Sequence, residues 1–126
     1  MHSYEVIWSH EAVYDIADIV DYIELWFGRE RADRFLRDID REREVLGSDF
    51  RMYHDTGFYY GQKLILKKVF APSIIFFFVN DEEKCVYILR ILRQERDWQR
   101  ILKRQGDGSF VLLVIETKEP FPFVNN

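Results

Sequence analysis

The spacing of apolar residues outlines the first elements of the chain. Alternating β-branched and aromatic residues in YEVIW (4–8) predict a short opening strand. Apolar residues then recur at helical spacing from 12 to 27, which predicts an amphipathic helix. Ser9 has the side chain of an N-cap, and Gly28 is predicted to end the helix as a left-handed cap.

A second helical stripe begins almost at once and runs from 32 to 46, with Gly47 predicted to close the helix. Its other faces hold the charged run RDIDRERE (37–44), which is typical of an exposed, salt-bridged helix. Two amphipathic helices joined by so short a turn predict an antiparallel hairpin. The first helix also carries three acids spaced by three, which we interpret as a solvated face: Asp15, Asp18 and Asp21.

The periodicity becomes strand-like in the second half of the chain. Residues 48–62 have no clean period and contain several turn-forming residues. Three runs of strand length follow at 63–70, 73–80 and 84–92, and their short connections predict an antiparallel meander. The middle run is apolar on both sides, as expected of a central strand that is covered on both faces.

The remaining segments complete an α+β pattern. Residues 96–103 return to helical spacing and predict a short helix after the last core strand. FVLLVIE (110–116) is compatible with one more strand, and 118–126 is predicted to be loose. We therefore expect an N-terminal strand and an antiparallel helical hairpin packed on an antiparallel β-meander. This divides the chain into a domain at 1–104 and a C-terminal extension, with no role assigned, at 105–126.

The composition is that of one globular domain, since 48% of the 126 residues are hydrophobic and 32% are charged. No leader-like segment opens the chain, and no apolar run approaches the ~18 residues of a membrane span, which predicts a cytoplasmic protein without a membrane partner. The single cysteine, Cys85, excludes an internal disulfide and is expected to be a buried structural thiol. No metal site or cofactor is predicted, because the histidines share no ligand spacing: His2, His10 and His54.

The net charge of −4 conceals an uneven distribution along the chain. Residues 1–60 carry −7, residues 61–104 carry +5 and residues 105–126 carry −2. The basic part can present an attractive field to an anionic partner although the whole chain is acidic. The simpler alternative is that its cations pair with acids of the same fold. The cations concerned are Lys63, Lys67, Lys68, Lys84, Arg90, Arg93, Arg96, Arg100, Lys103 and Arg104.

Three segments of the chain resemble the RelE/ParE superfamily of toxins from bacterial type II toxin–antitoxin pairs. VYILRILRQERDW (86–98) resembles the family's last core strand and the segment that follows it. YEVIWSHEAVYDIADIVDYI (4–23) and FGRERADRFLRDI (27–39) resemble its opening strand and its two helices. The resemblance covers residues 4–103 and depends on the order and spacing of the segments together. It implies a cognate antitoxin as a partner and growth inhibition as the outcome.

The resemblance implies one of two activities. RelE-like members cut messenger RNA in the ribosome, whereas ParE-like members poison DNA gyrase without cutting RNA. Cleavage needs a base, an acid and cations that stabilise the charged phosphorane. Only Lys67, Lys68 and Arg93 remain here as counterparts of the nuclease residues, because the middle strand is the apolar SIIFFFVN (73–80). The ParE-like activity, which is not enzymatic, is therefore favoured.

Two alternatives stay open at this point: a ribosome-dependent messenger RNA endonuclease, and a non-toxic binding protein with the same fold. Oligomerisation is also left open. Strand alternation puts Arg90 and Arg93 on opposite faces unless the strand ends near Ile91, and we expect Arg90 to be the more structural and Arg93 the more exposed of the two. The predicted partner-binding residues are Lys67, Arg90, Arg93, Arg96 and Trp98.

Overall fold

A computed structural model describes residues 4–48, 53–104 and 114–116 of the chain. It contains an opening strand, two long helices, four further strands, a short helix and a last short strand. The elements are β1 (Glu5–Ser9), α1 (His10–Phe27), α2 (Arg29–Ser48), β2 (His54–Tyr60), β3 (Lys63–Phe70), β4 (Ser73–Asn80), β5 (Cys85–Arg93), α3 (Trp98–Arg104) and β6 (Val114–Glu116).

The strands form one mixed sheet in the order β2-β3-β4-β5-β1-β6. The pairs from β2 to β5 are antiparallel, and for β3, β4 and β5 this is the meander that the short connections predicted. β1 lies beside β5 and runs parallel to it. A parallel pair needs a long connection, and here α1, α2 and the strands β2, β3 and β4 lie between the two in the chain. The α+β architecture predicted from the sequence is confirmed. β6 pairs antiparallel with β1 and falls within the possible strand at 110–116. Residues 105–113 and 117–126, among them the end predicted to be loose at 118–126, lie outside the described residues.

The strand β2 was not predicted, because its turn-forming residues concealed it. The register against β3 shifts between Asp55 and Tyr59, and Gly57 between them has a φ of 80°. The Asp55 carboxylate accepts a hydrogen bond of 2.5 Å from the Gly57 amide, which holds this irregularity in place. A glycine and an aspartate that are typical of a turn therefore form a bulge inside a strand.

The sheet carries a hydrophobic core on each face, and β4 contributes to both. On one face, α1 and α2 pack against Ile75 and Phe77 of β4. On the other face, α3 packs against Ile74, Phe76 and Phe78. All five of these side chains are buried, so the prediction that the apolar middle strand is covered on both sides is confirmed.

The ends of α1 show one confirmed and one corrected prediction. Ser9 is the N-cap, and its hydroxyl oxygen accepts a hydrogen bond of 3.0 Å from the Ala12 amide. Gly28 follows the last helical residue and donates its amide to the Glu24 carbonyl at 3.1 Å. Its φ of 93° and ψ of 166° lie in an extended region that only glycine adopts readily, not in the left-handed helical region.

Gly47 does not close the second helix, because α2 continues through it to Ser48. Tyr4, which precedes β1, lies against the helix here, and its amide donates to the Gly47 carbonyl at 2.7 Å. A Cβ atom at position 47 would lie 2.6 Å from the Tyr4 carbonyl oxygen. The glycine is therefore required by the close approach of two backbone segments and not by a helix end.

Candidate partner-binding site at the end of the fifth strand

A β-bulge in β5 determines where its arginines point. Phe76 of β4 faces Arg90, but Phe77 faces Ile88, so Leu89 is an extra residue in β5. The extra residue disturbs the alternation of side chains beyond it. The Leu89 carbonyl, displaced from the ladder, accepts a hydrogen bond of 2.7 Å from the hydroxyl of Ser9.

Asp15 of α1 holds the other side of the bulge. Its carboxylate accepts a hydrogen bond of 3.0 Å from the Ile91 amide. It also binds the Arg90 guanidinium in bidentate fashion, with Nε and Nη2 at 2.6 and 2.8 Å from its two oxygens. Glu11, one turn earlier on α1, lies 3.4 Å from Arg90 Nη1. The sequence interpretation of Asp15 as part of a solvated face is wrong, because this carboxylate is the buried partner of Arg90.

Burial and pairing oppose each other in the two pKa values of this ion pair. Burial raises the pKa of the Asp15 carboxyl, and the hydrogen bonds and charge of Arg90 limit the rise. Burial alone would lower the pKa of Arg90, but the Asp15 carboxylate outweighs it and the pKa is raised. The Asp15 side chain is only 9% exposed and the Arg90 side chain 15%, so Arg90 is part of the scaffold that joins β5 to α1.

Arg93, at the end of β5, also points towards α1. Its guanidinium carbon lies 4.0 Å from the centre of the Tyr22 ring, at a distance typical of a cation–π contact. Its Nη1 lies 3.1 Å from Glu95 Oε1 in the turn that follows the strand. Arg90 and Arg93 therefore both reach α1, and the expectation that they occupy opposite faces is wrong because the bulge removes the alternation.

Arg93 and Arg96 line a cleft of about 220 Å³ between α1 and the end of β5. The Arg96 amide donates to the Arg93 carbonyl at 3.0 Å, so a tight turn brings the two arginines together. Arg96 is exposed, and among residues 4–48, 53–104 and 114–116 no carboxylate forms an ion pair with it. The cleft is lined by Asp15, Asp18, Ile19, Tyr22, Ile91, Leu92, Arg93 and Arg96.

Lys67 and Trp98 lie together on the opposite face of the sheet. The Lys67 ammonium lies 4.6 Å from the centre of the Trp98 ring, at the start of α3. The ring also packs on Phe76 and Phe58, with centroid distances of 5.3 and 6.2 Å. Trp98 thus joins α3 to three strands and leaves Lys67 half-buried at the edge of an aromatic cluster.

The structure does not bring the three nuclease candidates together. Lys68 follows Lys67 and points to the other face, where it forms an ion pair with Glu42 of α2. Burial alone would lower the pKa of Lys68, but the hydrogen bond with Glu42 outweighs it and raises the pKa. Lys68 is therefore paired with the buried carboxylate of Glu42, and Arg93 lies against the Tyr22 ring. Three cations with separate partners do not form the cluster that phosphorane stabilisation requires.

Sequence reasoning missed two residues of this region, Tyr22 and Asp15. Both have a signal in the sequence. Asp15 falls inside the apolar stripe of α1, between Ala12 and Ile19, and a lone arginine in the buried run VYILRIL requires a carboxylate. Tyr22 offers a weaker signal, because an aromatic ring at the edge of a helical stripe is usually a packing residue.

No helix in the described part of the chain is long and apolar enough to cross a membrane. No group of three or more histidine, cysteine, aspartate or glutamate side chains in those residues is arranged to hold a metal ion.

The comparisons with known proteins agree with this architecture. The sequence model of a family described as the ParE toxin of type II toxin–antitoxin systems matches residues 6–98. A solved structure described as the chromosomal ParDE system from P. aeruginosa has a chain of similar fold, with a TM-score of 0.58 and 24% sequence identity. The alignment covers 75% of this chain and 100% of that chain. None of the curated proteins compared matches the sequence.

Proposed function

Because the chain belongs to the ParE toxin family of type II toxin–antitoxin systems, we propose that it is a toxin that inhibits DNA gyrase by binding and is neutralised by a cognate antitoxin. The family match over residues 6–98 is the observation that carries this proposal. It spans β1 to β5 and the start of α3, and therefore includes every element that builds the cleft and the Lys67–Trp98 cluster. The protein would act in the cytoplasm, where gyrase works.

The arrangement of the cations supports binding over catalysis. An RNA-cleaving toxin needs several cationic and proton-transferring groups around one phosphate. Here Lys67 and Lys68 point to opposite faces, and Lys68 is bound to Glu42. Arg93 and Arg96 line the open cleft, and no lysine or histidine stands beside them among the cleft-lining residues.

The partner surface that we propose has two parts, joined by the turn after β5. Arg93 and Arg96 form the part that faces α1, and Lys67 with Trp98 forms the part on the opposite face. Arg90 contributes by holding β5 against α1 through Asp15 and does not itself need to touch a partner. A partner that contacts both parts has to bend around the end of β5.

Controlled expression in bacteria tests this function. Induced alone, the protein should stop growth, and co-expression of the small protein encoded beside its gene should restore it. Primer extension on messenger RNA early after induction should show no new ends within translated codons. Cuts in codons would instead indicate a ribosome-dependent nuclease. Normal growth with soluble protein present would favour a non-toxic binding protein.

A further inference from the structure

We propose that the cleft between α1 and the end of β5 is a binding site for a carboxylate side chain of a partner protein, which displaces Glu95 from Arg93. The inference deepens the proposed function, since it names the chemistry by which a protein partner is recognised. It depends on four features of the described residues: the backing of Arg93 by a ring, the free Arg96, the pairing of Asp15, and the position of Glu95.

Tyr22 prepares Arg93 for a planar ligand. With its guanidinium carbon 4.0 Å from the ring centre, one face of Arg93 is covered and its edge is left for hydrogen bonds. Arg93 is only 28% exposed, so little side-chain freedom remains to be lost on binding. A carboxylate matches the donor spacing of a guanidinium edge and can be held by two parallel hydrogen bonds.

The charges that face the cleft leave room for one anion in the place that Glu95 now takes. Asp15 in the lining is already matched by Arg90, which also lies near Glu11. Asp18 is exposed on α1, forms no ion pair within the described residues and acts on Arg90 only through its charge. Against it stand Arg93 and Arg96, the latter without an ion pair within the described ranges. With Glu95 turned out into solvent, Arg93 and Arg96 exceed Asp18 by one charge, so one carboxylate restores the balance.

Glu95 shows how the ligand would be seated. Its carboxylate already lies 3.1 Å from Arg93, from the turn that leaves β5. The Glu95 side chain is 59% exposed, and an ion pair so open to water contributes little to stability. A partner carboxylate that enters the cleft can therefore replace it at small cost. It follows that Glu95 weakens binding, so removing its charge should strengthen the complex.

A defined peptide tests the site directly. The probe is tetraglutamate with both ends blocked, titrated into the full chain while the arginine side-chain N–H signals and the Tyr22 ring signals are followed by NMR. We expect the signals of Arg93 and Arg96 to shift, and Glu95→Gln to tighten binding about two- to fivefold. Arg93→Gln should weaken it roughly tenfold or more. Arg41→Gln, which changes an exposed arginine on α2, is the matched control and should change nothing.

Three outcomes would overturn the proposal. The first is the absence of shifts at Arg93 and Arg96, and the second is equal or weaker binding by Glu95→Gln. The third is tighter binding of an oligothymidylate of similar charge, which would indicate a phosphate site. A blocked tetraglutamine peptide should not shift the signals. The peptide result does not depend on toxicity, so failure of growth arrest and failure of the cleft are separate findings.

Discussion

Replacing Asp15 with alanine should destabilise the protein more than any other single change to a charged residue of α1. The substitution leaves Arg90 without its main partner in a site where its side chain is only 15% exposed. It also removes the acceptor of the Ile91 amide and the contact that fixes the bulge. Removing one partner of a buried ion pair typically costs about 3–5 kcal/mol, because the other charge stays buried.

That loss is large compared with the total stability of a domain of this size, which is about 5–15 kcal/mol. Urea unfolding followed by circular dichroism measures it. Asp18→Ala is the matched control, since Asp18 is an exposed acid on the same helix, and it should shift stability by ~0.5 kcal/mol or less.

A double variant separates the ion pair from simple loss of packing. Arg90→Met in the Asp15→Ala background removes the uncompensated charge and keeps a long side chain in place. The double variant should therefore be more stable than Asp15→Ala alone. If Asp15→Ala and Asp18→Ala cost the same, or if the double variant is the least stable of the three, the assignment of Arg90 to the scaffold is refuted.

Three further predictions follow from single contacts. Gly47→Ala should lower the free energy of unfolding by about 1–3 kcal/mol in urea, because the new Cβ would lie 2.6 Å from the Tyr4 carbonyl oxygen; equal or greater stability would show that the backbone there can move. Trp98→Ala should lower the free energy of unfolding by about 3–5 kcal/mol and Lys67→Ala by less than ~1 kcal/mol, since the Trp98 ring packs on Phe76 while the Lys67 ammonium only contacts the ring. A larger loss in Lys67→Ala than in Trp98→Ala would contradict this. Burial, with help from the Glu83 carboxylate, raises the pKa of Tyr87, so the folded state keeps the phenol proton above pH ~10 while the unfolded chain releases it. The free energy of unfolding should therefore fall as the pH rises past that value, and it should fall less steeply in Tyr87→Phe. Identical slopes in the two proteins would refute the assignment.

An element of the fold could be predicted where the spacing of its apolar residues fitted only a helix or only a strand. The apolar stripe of α1 and the two-sided run of β4 each have one structural solution, and both were predicted. β2 was missed because Gly57 and Asp55, which usually form turns, form a bulge that depends on pairing with β3. The parallel pairing of β1 with β5 joins residues about 80 positions apart, which no local pattern encodes.

The site was predictable in composition but not in arrangement. The sequence showed an unusual number of arginines after Tyr87, and the family resemblance implied that Arg90, Arg93 and Arg96 bind a partner. The extra residue Leu89 changed which face Arg90 reaches, and strand alternation could not anticipate it. The burial of Asp15 depends on that bulge, since it brings the Ile91 amide and Arg90 to one carboxylate. The predicted roles in binding remain predictions for all five residues: Lys67, Arg90, Arg93, Arg96 and Trp98.

We propose that the chain inhibits DNA gyrase by binding, and a supercoiling assay with purified components tests this most directly. Relaxed plasmid, gyrase and ATP are incubated with increasing amounts of the folded protein, alone and after addition of the neighbouring gene's product. We predict that supercoiling is lost as the protein approaches and exceeds the gyrase concentration, and that it returns when the antitoxin is added. Full supercoiling at a large excess of folded protein would contradict the claim.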